Sequence, residues 1–144
     1  MKRLLTALVA LSLTAAAPSG RSDTLVLVVR HAEKAGPTGD VPLSADGQQR
    51  AQALVGVARD AGVSAVVTTQ FQRTRQTGAP VAEALGITPE VVAAAADTKE
   101  HARQVAELVM GKHRGQTTLV VGHSNTVPAI VAALGGPTMR DLCD

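Results

Sequence analysis

Arg30 and His31 follow directly on an apolar run, and Glu33 and Lys34 come within the next three residues, in the stretch VVRHAEKAG. A neutral imidazole is a competent nucleophile toward phosphorus, and a neighbouring guanidinium grips phosphoryl oxygens with two parallel N–H donors. A second group lies in TTQFQRTRQT, Thr68 to Thr77, where Arg73 and Arg75 stand in the first turn of an expected helix. Cations there oppose the helix dipole. An anion bound at that place relieves the conflict and uses the free backbone N–H groups. Arg75 reads as the solvated one of the pair. A third group is LVVGHSNTVP, Leu119 to Pro128, in which Gly122 permits a tight turn and His123 follows at the strand tip. Each group alone has a plainer reading: a capping or surface histidine, two solvated arginines, a buried structural histidine. Two strand-tip histidines joined by strand-tip arginines favour phosphoryl chemistry.

Other chemistries fit less well. GHSNT, Gly122 to Thr126, nearly matches the nucleophile elbow of α/β-hydrolases, but Thr126 takes the final glycine's place and no histidine follows His123. The four histidines and the single Cys143 show no zinc-ligand spacing. Gly111-Lys112 lacks the upstream glycine of a Walker-type phosphate loop.

The elements that must position these residues alternate along the chain. Thr24 to Val29 is continuous and rich in branched residues, as a fully buried strand is. Ser44 to Ala61 carries Ala51, Leu54, Val55 and Ala58 at helical spacing, with Ser44 as N-cap and Gly62 as stop. Val63 to Thr69 is the second strand. Phe71 to Leu85 is helical, with Pro80 expected to kink or restart it and Gly86 to end it. A weaker third strand covers Ile87 to Ala93. Asp97 or Thr98 then caps a helix with Ala102, Val105, Ala106, Val109 and Met110 on its apolar face. Thr117 to Gly122 is the fourth strand and Ser124 to Leu134 the last helix. Strict alternation implies parallel pairing in a three-layer α/β/α sandwich, whose ligands bind beyond the carboxyl ends of the strands.

Length and composition set the outer bounds. A chain of 144 residues builds one domain. Phe71 is its sole aromatic residue, which argues against stacking of single-stranded nucleic acid. Residues 1–19 read as a secretory signal peptide: Lys2 and Arg3, an apolar run from Leu4 to Leu13 too short to span a bilayer, then small residues. Cleavage is expected after Ala16 or Ser19, leaving residues 20–144 as an exported domain in the periplasm or outside the cell. Losing Lys2 and Arg3 brings 14 basic and 12 acidic residues to an even balance, so general attraction to nucleic acid or acidic membrane has no support. Cys143 has no partner for an internal disulfide.

Together the three motifs resemble the histidine phosphatase superfamily, on its phosphoglycerate mutase-like branch, over most of residues 24–137. RHAEK is similar to the family's arginine–histidine signature, TTQFQRTRQT to its serine–proline–x–x–arginine segment, and VVGHSNTVP to its second histidine motif. The resemblance implies that His31 becomes phosphohistidine while Arg30, Arg73 and His123 surround the transferred group, with no metal and no cofactor. A protonated His123 would then help hold the equatorial oxygens. It places a general acid between the second and third motifs, where Asp97 and Glu100 are candidates and Glu33 a third; Asp97 is favoured, although Asp97-x-x-Glu100 also reads as a capping box. Gln70 departs from the family's proline, and the sequence stops at Asp144 where family members continue into another strand. The implied activity is metal-independent hydrolysis of a small phosphomonoester, or of a phosphohistidine or pyrophosphate. The rivals are a non-catalytic domain that keeps the phosphate pocket and mutase-type phosphoryl transfer. No reading of the sequence sets the oligomeric state.

Overall fold

The computed structural model describes residues 23–143, so the expected signal peptide lies outside the described residues. Four strands and four helices alternate: β1 (Leu25–Arg30), α1 (Ala45–Asp60), β2 (Val63–Thr68), α2 (Gln72–Leu85), β3 (Glu90–Val91), α3 (Thr98–Gly111), β4 (Thr117–Gly122) and α4 (Thr126–Ala133). The strands form one parallel sheet in the order β1-β4-β2-β3.

Alternation of side chains along each strand feeds two cores. Leu27 and Val29 of β1, Val66 of β2, and Leu119 and Val121 of β4 pack with Ala58, Val81 and Ala82 beneath α1 and α2. Val26, Val28, Val67 and Val120 face the other way, onto Ala102, Val105, Val109 and Ile130 of α3 and α4. The sheet is therefore the middle of three layers. The helices after β1 and β2 lie on one face and the helix after β4, the strand between them, on the other. The loops leaving β4 and its neighbours thus part and open a crevice at the carboxyl ends.

Local signals explain most boundaries. Ser44 caps α1, its hydroxyl accepting from Gly47 N at 3.1 Å. Gly86, at φ 65°, ends α2 in the left-handed conformation that glycine tolerates. Asp97 caps α3, accepting from the amides of Lys99 and Glu100.

Three expectations need correction. α2 runs unbroken through Pro80. The third strand shrinks from Ile87–Ala93 to Glu90–Val91, an edge strand that follows Pro89, which has no N–H to donate. On α3, Ala102, Val105 and Val109 are buried but Met110 is 41 % exposed, one residue beyond the apolar stripe; His101 takes a place on the buried face instead.

Candidate active site

Register puts the two histidines side by side. Arg30 pairs with Gly122 at the ends of the adjacent parallel strands β1 and β4, and His31 N donates to Gly122 O at 3.0 Å. The next residue of each strand is a histidine, and neighbouring strands lie about 4.8 Å apart. The imidazole centroids of His31 and His123 are accordingly 5.5 Å apart, edge to face. Both residues are buried, at 7 % exposure each.

His31 Nδ1 lies 2.7 Å from Ala32 O. A carbonyl only accepts, so Nδ1 carries the proton and the neutral ring keeps its lone pair on Nε2. Burial lowers the His31 pKa, and the charges of Arg30, Arg73 and Lys34 lower it further against the opposing pull of the Ala32 bond. The loop that holds this ring is itself fixed. Ala32 is buried with Leu43 and Ala51, and its amide donates to Thr77 Oγ1 at 3.0 Å, while that hydroxyl donates to Arg73 O at 2.7 Å.

His123 Nε2 meets Thr69 Oγ1 at 3.1 Å, and Phe71 stands edge-on to the ring with centroids 5.4 Å apart. Burial first, then the charge of Arg73, lowers its pKa to about 4. The free site therefore holds a neutral His123, whereas the protonated ring expected from the sequence is that of the substrate complex. Its Nδ1 is buried without a hydrogen-bond partner.

Arg73 reaches the same place from α2. Its guanidinium carbon lies 4.5 Å from the centre of the Phe71 ring, Nη1 is 3.4 Å from Gly39 O, and buried Nε has no partner. The N-terminus of α2 differs from expectation. Asp40 takes the Gln72 amide on Oδ1 at 2.8 Å, so a side chain from the β1–α1 loop already supplies an anion to that helix end. Arg75 is exposed. Arg30 lies close enough to depress both imidazoles, and its Nη1 donates to Cys143 O at 2.6 Å. The chain near residue 142 thus straps across the strand ends, held also by Leu142 N to Ser124 O at 3.0 Å.

A crater of about 390 Å³ opens over this cluster. Both imidazoles, Lys34, Phe71 and Arg73 line it, with Ala94, Ala95 and Ala96 as one wall and the polar turn from Ser124 to Thr126 completing the rim. None of the three candidate acids is among its lining residues. Asp97 sits just past the alanine wall, exposed and capping α3. Glu100 is tied to Arg103 and Gln104, which hold its carboxyl at about 2. Glu33 pairs with Arg50 at 2.6 Å and faces an adjoining groove of about 990 Å³ between the β1 tip and α1, which shares His31 and Lys34 with the crater and which Arg30 lines in place of the crater. Among the described residues no three His, Cys, Asp or Glu side chains converge as metal ligands would.

Sequence reasoning missed Thr69, Thr77, Lys34 and the alanine wall. The two threonines lie inside the arginine-bearing motif, where their hydroxyls were the available signal. Only the tertiary structure shows that one supports each histidine.

A model of the histidine phosphatase superfamily (branch 1) matches residues 26–96. No curated protein matches the sequence. Among solved structures, the protein histidine phosphatase SixA complexed with tungstate is 20 % identical, at TM-score 0.60 over 74 % of each chain. A protein described as a phosphohistidine phosphatase SixA, from Nakamurella multipartitia, is 27 % identical, at TM-score 0.56 over 78 % of this chain and 71 % of that one. YhfR of Bacillus stearothermophilus is 18 % identical, at TM-score 0.67 over 80 % and 82 %.

Proposed function

We propose, for a chain that belongs to the histidine phosphatase superfamily on its phosphoglycerate-mutase-like branch, that it hydrolyses a phosphomonoester through a phosphohistidine on His31. The observation that carries this reading is the pair of strand-tip imidazoles 5.5 Å apart, with the His31 lone pair left on Nε2 by the Ala32 bond. His31 Nε2 attacks phosphorus in line and the bond to the leaving oxygen breaks as the P–N bond forms. Arg30, Arg73 and His123 stabilise charge on the equatorial oxygens. The bound dianion raises the His123 pKa from its low value in the free site, so the ring acquires its proton with the substrate. Asp97 protonates the leaving alkoxide; the resulting carboxylate then takes a proton from the water that attacks phosphorus, releasing inorganic phosphate and restoring both His31 and the acid. The reading includes an exported setting, periplasmic or secreted, with residues 1–19 as signal peptide and residues 20–144 as the mature domain. Among the described residues no helix is long and apolar enough to cross a membrane.

One observation favours a second substrate. Among the described residues no carboxylate lines the crater, and the imidazole or phosphate that leaves from a phosphohistidine or pyrophosphate is a far weaker base than an alkoxide, so its departure needs less help from an acid. SixA, named a protein histidine phosphatase, shares this fold.

Turnover of an alkyl ester, glycerol 2-phosphate, and of phosphohistidine, measured on the wild type, His31→Ala and Asp97→Asn, tests both readings. His31→Ala abolishes hydrolysis of either substrate, and retained turnover would refute the phosphohistidine route. Asn keeps the cap of α3, so Asp97→Asn isolates the acid. A loss of about 10²-fold or more on the ester supports phosphomonoester hydrolysis with Asp97 as acid, whereas an unchanged rate removes Asp97 from the mechanism and favours the P–N substrate.

A further inference from the structure

Residues 92–97, of which Ala94, Ala95 and Ala96 form one side of the crater, are neither helix nor strand, so specific bonds must hold them. The β2–β3 pairing reaches Val92, whose amide donates to Thr68 O at 2.9 Å, and then ends. Beyond it a side chain continues the ladder. Gln70 Oε1 accepts from Ala94 N at 2.8 Å and Gln70 Nε2 donates to Ala94 O at 3.4 Å. The primary amide thus imitates a strand neighbour, exchanging both bonds with one residue. From the other side, buried His101 donates from Nδ1 to Ala93 O at 3.1 Å. Gln70 belongs to the short turn that also presents Phe71 and leads into Arg73, so its clamp ties the alanine wall to the segment that carries the arginine.

We infer that Gln70 is a positioning residue for substrate choice: by clamping Ala94 it fixes the gap between the alanine methyls and the two imidazoles, and so sets which leaving group fits beside the phosphoryl group. The inference rests on the reading of the crater as a phosphoryl site. Three methyl groups and the Phe71 ring offer contact without hydrogen bonds, a surface suited to a flat, uncharged leaving group such as an aryl ring.

Binding probes separate this from catalysis. Calorimetry with inorganic phosphate and with phenylphosphonate, on the wild type, Gln70→Met and Gln70→Glu, reads the phosphoryl cup and the wall independently; amide hydrogen exchange reads the clamp. In Gln70→Met, phosphate affinity stays within about twofold, phenylphosphonate weakens about fivefold, and Ala94 exchange accelerates, as loss of both bonds to Ala94 implies. Gln70→Glu keeps the acceptor for Ala94 N and loses only the longer bond to Ala94 O, and its charge acts on both anions alike, so it restores the affinity ratio and the protection of Ala94 in part. An unchanged ratio in Gln70→Met, or a Gln70→Glu protein as impaired as Gln70→Met, overturns the inference. Wild-type protein that binds neither probe overturns the phosphoryl-site reading itself, while Ala94 exchange still reports whether the clamp exists.

Discussion

Whether His31 can attack phosphorus depends on which of its nitrogens is bare at the working pH. The Ala32 carbonyl answers for the tautomer, and burial reinforced by Arg30, Arg73 and Lys34 answers for the charge. A base must be neutral to act, and a pKa below the ordinary 6.5 keeps this ring neutral into more acidic solution. The acid limb of kcat/KM, which reports the free enzyme, therefore lies below pH 6.5 once the substrate's own ionisation is subtracted. Arg73→Met removes a like charge and moves that limb upward, toward the ordinary value. The position of the limb is the readout, because its height also falls with the lost anion contact. A limb above 6.5 in the wild type contradicts the account. The sequence made both histidines and Arg73 visible, since few residues other than reactive ones follow a buried strand so abruptly. The protonation state of His123 was not legible, because it depends on how deeply two loops bury the ring.

At the scale of elements, α1 approaches the loop that follows His31 as closely as backbone allows. A Cβ on Gly47 would lie 2.3 Å from Glu33 O, a main-chain atom that cannot swing aside. Gly47→Ala must displace the helix or the loop, at a cost of about 1–3 kcal/mol read from urea unfolding. Gly56→Ala, in the same helix but facing open space, serves as control and stabilises by about 0.5–1 kcal/mol. A Gly47→Ala protein as stable as its control would show that the contact is slack. Helix caps and buried strands were readable because their causes are local: Ser44 before an apolar stripe, Gly86 after one. The short third strand and the trans cap on α2 were not. Asp40 is 32 residues from the amide it satisfies, and no local pattern announces that meeting. The general acid was not legible for a related reason, since a carboxylate that caps a helix and one that faces a crater have the same sequence signature.

For the whole molecule, alternation of strand and helix was enough to call for a parallel three-layer sandwich, while the order β1-β4-β2-β3 came only with the structure. That order converts three motifs more than 30 residues apart into one crater: β4 lies between the two strands whose tips carry Arg30-His31 and Thr69. The strap near residue 142 crosses the same ground. On the proposed reading, in which Arg30 holds the phosphoryl group, an arriving dianion competes with the Cys143 carbonyl for the Arg30 guanidinium, so occupancy of the cup and attachment of the strap oppose each other. The chain has a single thiol, and it is exposed on that strap. An environment-sensitive dye attached at Cys143 should thus change emission as tungstate or phosphate is titrated in, saturating with the same midpoint that calorimetry gives. Silence of the dye across a titration that calorimetry shows to be complete would mean that anion and strap do not compete. Where the two midpoints agree, the protein already contains the attachment point for an optical anion sensor, with no engineering beyond the label.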